Sequence, residues 1–238
     1  RLPVIVWIHG GGWRNQSRKE SPAVMLAKDG YVVASVEYRL SNVATFPAQI
    51  EDCKAAIRWL RANAEKYQLD PNRIGAFGRS AGGHLVALLG TCGDYKEWDK
   101  VGGNFDQPSN VQAVCDWFGP TNLATHPPVV ARLDGKDSLK MLFGVDDLKD
   151  VPDQVANASP INHIHAGDPP FLIMHGDADN AVPIEQSESF ADALKKANVD
   201  VAYKVVKVQG TGHGFPGVDL NKLIEGDVRP FFDRCLKQ

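Results

Sequence analysis

A serine hydroxyl becomes a useful nucleophile when the chain lifts it clear of its neighbours, and Gly78-Arg79-Ser80-Ala81-Gly82 has the composition for that task. This G-x-S-x-G run follows an apolar stretch at 73–77 and opens a helical pattern. Ser80 is therefore expected on a sharp strand-to-helix turn with its hydroxyl above a sheet. Side chains two residues to either side would collide in so tight a turn, which glycine avoids. The same turn places backbone N–H groups at a helix N-terminus, where a developing oxyanion is stabilised. His9-Gly10-Gly11-Gly12-Trp13 follows the first apolar run, and its glycines let backbone amides face a cavity. The amides of Gly11, Gly12 and Ala81 are the expected oxyanion hole, worth roughly 3–4 kcal/mol per donor. A dinucleotide site is disfavoured, because Gly75-Ala76-Phe77-Gly78 does not match G-x-G-x-x-G.

A serine nucleophile needs a base and a group to orient that base. Seven histidines compete. His213, between Gly212 and Gly214 on the loop after the last strand, is the expected base, since a ring there can swing over the strand ends. It acts as a base only once it has lost its proton. His84 lies one helical turn beyond Ser80 and reads as a core residue. His9 and His175 read as backbone-bonding groups at strand ends, and His126 as lining the pocket at most. His163 and His165 form an H-x-H without further ligands nearby and read as solvated or capping residues. The acid belongs on the loop after 171–175, where both Asp177 and Asp179 qualify by position and either could be an ordinary turn residue. Asp179, farther out and three residues before Val182-Pro183, is the choice.

These residues require a scaffold of alternating elements. Apolar runs at 4–9, 31–37, 73–77, 112–118, 171–175 and 201–206 have strand length. They lack period-two alternation, as expected of strands covered on both faces of a parallel sheet. Helical patterns fall at 47–67, 80–89, 183–197 and 220–236; in the first, Ile50, Cys53, Ile57, Leu60 and Ala64 form an apolar stripe opposite a charged face. The expected fold is a three-layer α/β sandwich, a mostly parallel sheet with helices on both faces and right-handed crossovers. The stretch from 120 to 168 exceeds an ordinary connection and reads as a small lid-like insertion or pocket wall. It carries a short helix at 138–143 before Gly144 and another turn at Ala158-Ser159-Pro160. The chain reads as a single domain over 1–238.

Composition narrows the function classes. Lys and Arg number 26 against 29 Asp and Glu, a formal charge of −3, with the basic residues scattered. Nucleic acid and anionic membrane are thus excluded as expected partners, and no apolar run is long enough to span a bilayer. Cys53, Cys92, Cys115 and Cys235 form no C-x-x-C pair, so no metal site or disulfide scaffold is expected. The serine chemistry itself calls for no cofactor.

Taken together, HGGGW, Tyr38-Arg39-Leu40-Ser41, Phe46-Pro47-Ala48-Gln49, GRSAGGH and HGDADNAVP resemble the α/β-hydrolase superfamily over essentially the whole chain. The closest likeness is to its feruloyl and acetylxylan esterase-type carboxylesterases, related to hormone-sensitive lipases. The resemblance implies Ser80, Asp179 and His213 as nucleophile, acid and base in the superfamily's chain order, and the D-x-x-V-P stretch favours Asp179 over Asp177. Arg79 stands where hormone-sensitive-lipase relatives usually carry Asp, and their large N-terminal cap has no counterpart. About two strands that usually precede HGGGW are expected to be absent, which would leave 31–37 on a sheet edge with a tendency to associate.

The implied function is a serine carboxylesterase. It would cleave short acyl esters, acetyl or feruloyl, on small-molecule or carbohydrate carriers through an acyl-enzyme. Trp13, Trp117, Phe118 and Phe215, each next to a catalytic loop or strand end, are expected to contact substrate as aromatic platforms. An arylformamidase-like amidase and a silent hydrolase fold used as a binding domain are the alternatives.

Overall fold

The computed structural model describes residues 1–128, 137–206 and 210–237. Six parallel strands form one sheet: β1 (Leu2–Ile8), β2 (Val32–Val36), β3 (Leu69–Arg79), β4 (Ala113–Trp117), β5 (Phe171–Gly176) and β6 (Val201–Val206), in spatial order β2-β1-β3-β4-β5-β6. The order turns around at β1, so the crevice between β1 and β3, at the carboxyl ends of both, is the natural ligand site of such a sheet. The HGGGW loop leaves β1 there and Ser80 leaves β3 there. β1 and β3 run in register from Val4↔Ile74 to Ile8↔Gly78, which brings the two glycine-rich loops side by side.

The central strands are buried on both faces. Val4, Val6 and Ile8 face one layer, made by α1 (Ala48–Ala62), α2 (Ala81–Thr91), the short α3 (Ser138–Phe143) and α4 (Pro152–Asn157), and α5 (Glu185–Lys196). Ile5 and Trp7 face the other. That layer is made by a 3-10 helix (Pro22–Asp29) and a C-terminal helical run of α6 (Leu220–Leu223), a π-helical turn (Ile224–Val228) and α7 (Arg229–Leu236). The expected three layers are present. The C-terminal run differs from an unbroken helix by the π-turn over Ile224–Val228, which ends just before Pro230. Proline has no N–H to give a preceding carbonyl, so the regular i→i−4 ladder is interrupted at that point.

The charged face of α1 is largely buried rather than turned to solvent. Lys54 and Arg58 are fully buried and Arg61 nearly so. Lys54 Nζ donates to Cys92 O at 3.0 Å and Tyr95 O at 2.6 Å. Arg58 pairs with Asp99 and donates to Gly103 O, and Arg61 donates to the carbonyls of Pro71, Pro108 and Asn110. These cations satisfy the backbone of the irregular 92–112 excursion, which has no ladder of its own to use.

Among the described residues no helix is long and apolar enough to cross a membrane. The insertion from 120 to 168 packs Leu139, Leu142 and Val155 into the core; its 129–136 part lies outside the described residues. α3 forms where expected, with Asp137 as its N-cap, its side chain accepting from Leu139 N–H.

Candidate active site

Ser80 adopts φ 54° and ψ −124°, a region that costs roughly 1–3 kcal/mol for a residue with a side chain and persists only when its surroundings enforce it. Here they do. Ser80 N–H donates to Trp117 O at 2.8 Å, and Ser80 O accepts from His84 N–H at 3.0 Å. A Cβ on Gly78 would lie 2.3 Å from Gly82 O, and one on Gly82 would lie 2.1 Å from Ile8 O. Both glycines are thus required by space, as the tight turn predicts. α2 begins at Ala81, directly behind the hydroxyl.

His213 bridges the other two groups. Its Nε2 lies 2.9 Å from Ser80 Oγ and its Nδ1 2.7 Å from Asp179 Oδ2. A carboxylate accepts only, so Nδ1 carries the proton, which leaves Nε2 as the acceptor for the serine O–H. Asp179 is fixed on its loop by Ala181 N–H and Val182 N–H, which donate to its Oδ1 at 2.8 and 2.9 Å. Its side chain is buried. Burial alone would raise its pKa. Hydrogen bonds from His175 and His213, the nearby His213 charge and the Val182 amide outweigh that and hold the carboxyl well below the usual range. Asp177 is exposed and makes no contact with His213.

Gly11 and Gly12 have φ of 89° and 59° and line the cavity in front of Ser80 together with Ala81. A Cβ at Gly11 would lie 2.2 Å from Asn15 O, so the loop could not hold this shape with another residue there. Arg14 N–H and Asn15 N–H both donate to Gly11 O at 3.1 Å, which fixes the turn of the loop. His9 underpins the loop. Its ring stacks on Tyr38 at 4.3 Å, its Nδ1–H donates to Gly10 O at 3.0 Å, and Tyr38 Oη donates to the same carbonyl.

The remaining histidines take structural places. His84 is buried, accepts from Trp13 Nε1 at Nδ1 and donates to Ala158 O at 2.7 Å; burial lowers its pKa to about 4 and keeps it neutral. His175 bonds Ser187 Oγ and Val182 O, which ties α5 to the acid loop. His126 lines the cavity and donates to Pro127 O. His163 donates to Asn157 O and His165 pairs with Asp168. No group of three metal-ligating side chains occurs among the described residues.

The aromatic residues require a correction. Trp117 and Phe215 do not line the cavity. Trp117 is buried with its Nε1 3.2 Å from Met174 Sδ, and Phe215 packs on Trp117 and Phe118 behind the wall. Both belong to the apolar layer on the C-terminal-helix face of the sheet, where burial of a large ring outweighs its nearness in sequence to the site. Trp13 and Phe118 do line the cavity, yet each is almost fully buried. Trp13 is held edge-on to His84, and Phe118 packs 4.8 Å from the His213 ring, so they form wall and support rather than open platforms. The wall that sequence reasoning missed is polar: Arg14, Asn15, Gln16 and Arg79. Its signal lay in plain view, three polar residues directly after HGGGW and an arginine inside the serine motif. The cavity, about 420 Å³, is completed by Pro120, Ser138, Ala181, Val182 and Gly214.

Residues 1–194 match the family described as BD-FAE. The chain is 35% identical to Esterase LipC of Mycobacterium tuberculosis over 91% of this chain and 54% of that protein. It spans about half the length of the curated relatives it matches. Among solved structures, a truncated carbohydrate esterase from gut microbiota is 36% identical with a TM-score of 0.89, covering 100% of this chain and 87% of the other. An acetyl ester-xyloside bifunctional hydrolase from Caldicellulosiruptor lactoaceticus is 30% identical with a TM-score of 0.76, covering 100% of this chain and 82% of the other.

Proposed function

The chain belongs to the BD-FAE family and has the α/β-hydrolase fold of its esterase relatives; from that premise we propose that it is a serine carboxylesterase acting on short acyl esters of small-molecule or carbohydrate carriers. The observation that carries the reading is the position of His213, within hydrogen-bond reach of Ser80 Oγ and Asp179 Oδ2 at once.

In the proposed reaction His213 Nε2 takes the Ser80 proton as Oγ attacks the ester carbonyl. Asp179 holds the ring in the tautomer that presents a bare Nε2 and stabilises the imidazolium that forms. In this reading the carbonyl oxygen, now negative, is stabilised by the amides of Gly11, Gly12 and Ala81, which line the cavity in front of Ser80. His213 then returns the proton to the departing alkoxide and the alcohol leaves. A water molecule, deprotonated by the same ring, attacks the acyl-Ser80 ester, and collapse of the second tetrahedral intermediate frees the acid and restores the serine. The small, partly polar cavity supports acetyl-sized rather than long-chain acyl groups, and the names of the carbohydrate-esterase neighbours support a sugar carrier. An amidase or a silent binding domain is not favoured by these relatives.

The test is labelling by a fluorophosphonate together with hydrolysis of p-nitrophenyl acetate, butyrate and palmitate. Labelling at Ser80 and rates that fall with chain length are expected, and Ser80→Ala should abolish labelling and lower kcat by about 10⁴ or more with the fold retained. A folded Ser80→Ala variant that still cleaved acetate at the wild-type rate would overturn the mechanism.

A further inference from the structure

One wall of the cavity carries arginine side chains. Arg14 and Arg79 both line it beside Asn15 and Gln16, and among the described residues no Asp or Glu does. Arg79 directly precedes the nucleophile. Its Cγ packs near Gly10, and its guanidinium sits 6.0 Å from the centre of the Trp7 ring. Nη2 donates to Gln16 Oε1 at 3.3 Å and Glu20 Oε2 at 3.2 Å. Nε and Nη1 have no partner among the described residues. A guanidinium offers five N–H donors in a fixed fork suited to carboxylates, so the greater part of that capacity is uncommitted. The partner it does have is loosely held: the Glu20 side chain is 64% exposed and that of Arg79 24%. An ion pair so open to water contributes little and yields readily to a competing anion.

We propose that Arg79 reads an anionic substituent on the ester, so that this site prefers substrates bearing a carboxylate, as an acidic sugar chain or a half-ester of a dicarboxylic acid does, over neutral esters of the same size. The proposal rests on the serine esterase reading. Glu20 acts in it as a stand-in carboxylate that occupies the guanidinium until the substrate's anion takes its place. Neutral esters leave the Arg79–Glu20 pair undisturbed and gain nothing from it.

The experiment compares matched ester pairs by kcat/KM. 4-Acetoxybenzoate against phenyl acetate places the carboxylate on the carrier half; p-nitrophenyl hemisuccinate against p-nitrophenyl butyrate places it on the acyl half. In at least one pair the wild-type protein should favour the anionic member, and that pair identifies the half that meets Arg79. Arg79→Gln should lower the anionic-to-neutral ratio by about five- to tenfold, Arg79→Lys should restore part of it, and Glu20→Gln should raise it. Added NaCl should raise KM for the anionic ester in the wild type and have little effect in Arg79→Gln, because the attraction is screened over about 8–10 Å. Two results overturn the proposal: a ratio that Arg79→Gln leaves unchanged in both pairs, or an equal loss on anionic and neutral esters, which would mark Arg79 as packing for the serine turn. If Ser80 is labelled and phenyl acetate is cleaved while the ratio does not move, only this inference fails. If Ser80 is neither labelled nor needed, the esterase reading fails with it.

Discussion

The two aspartates on the β5 loop show how one residue's chemistry is set by its contacts. Asp177 and Asp179 are the same side chain two positions apart, yet only Asp179 is turned inward, with both oxygens occupied and its charge shared between His213 and two backbone amides. Replacing Asp179 with Asn would offer an amide N–H where His213 Nδ1–H now donates, or favour the tautomer with the proton on Nε2, which cannot accept from Ser80. Asp179→Asn is expected to lower kcat by on the order of 10³–10⁴. Asp177→Asn should stay within about twofold, since the residue is exposed and touches nothing in the site. Steady-state kinetics of the two variants on p-nitrophenyl acetate decide this, and reversed penalties would reassign the acid.

At the scale of the element, β4 carries a buried acid that the reaction does not use. Asp116 is fully buried beneath the serine turn; its Oδ1 accepts from Gly119 N–H at 2.9 Å, and a Cβ on Gly83 would lie 2.3 Å from that oxygen. Burial pushes its pKa up to about 7, with the Gly119 bond and nearby His175 offsetting only part. An unfolded Asp titrates near 3.9. Between about pH 4 and pH 7 the folded state therefore holds a proton that the unfolded chain has released, and stability falls as pH rises through that window, levelling off above it. Asp116→Asn keeps an acceptor for Gly119 and cannot ionise. Its Tm relative to wild type should therefore rise across the same window, by the equivalent of up to about 4 kcal/mol. Parallel curves for the two proteins would show that Asp116 is ionised in the fold.

Across the whole molecule the described sheet ends in two edge strands, β2 and β6. β2 pairs with β1 alone among the described strands, in a register running from Val4↔Val32 to Ile8↔Val36. The turn at Arg18 ties onto its end through Ser35 Oγ, which donates to Arg18 O, and through Glu37, which pairs with the Arg18 side chain. The rest of the strand's outer edge offers unpaired backbone groups, the usual template for a second chain. Self-association that grows with concentration is expected in sedimentation velocity, and Ser35→Lys, which removes one tie and adds charge to the edge, should weaken it. A protein that stays monomeric to about 100 μM would show that the Arg18 turn guards the edge adequately.

Much of the site was legible before any fold was known, because the chemistry of its turns constrains residue type locally. A serine with positive φ needs glycine at positions 78 and 82, and an amide-lined loop needs Gly11 and Gly12; such demands are written in neighbouring residues. The strands were legible for a related reason, since a strand covered on both faces must be apolar throughout. What sequence could not decide was which side of a wall a residue occupies. Trp117 and Phe215 adjoin the site in the chain but point into the layer behind it, while Arg79 lines the cavity. Likewise Lys54, Arg58 and Arg61 belong to a charged helical face whose burial the spacing does not show: they are covered because the 92–112 excursion folds over them with carbonyls that need donors. Those outcomes depend on segments distant in sequence meeting in space. Local periodicity and spacing hold no record of them, and only the tertiary packing determines which long side chains are covered and which meet the substrate.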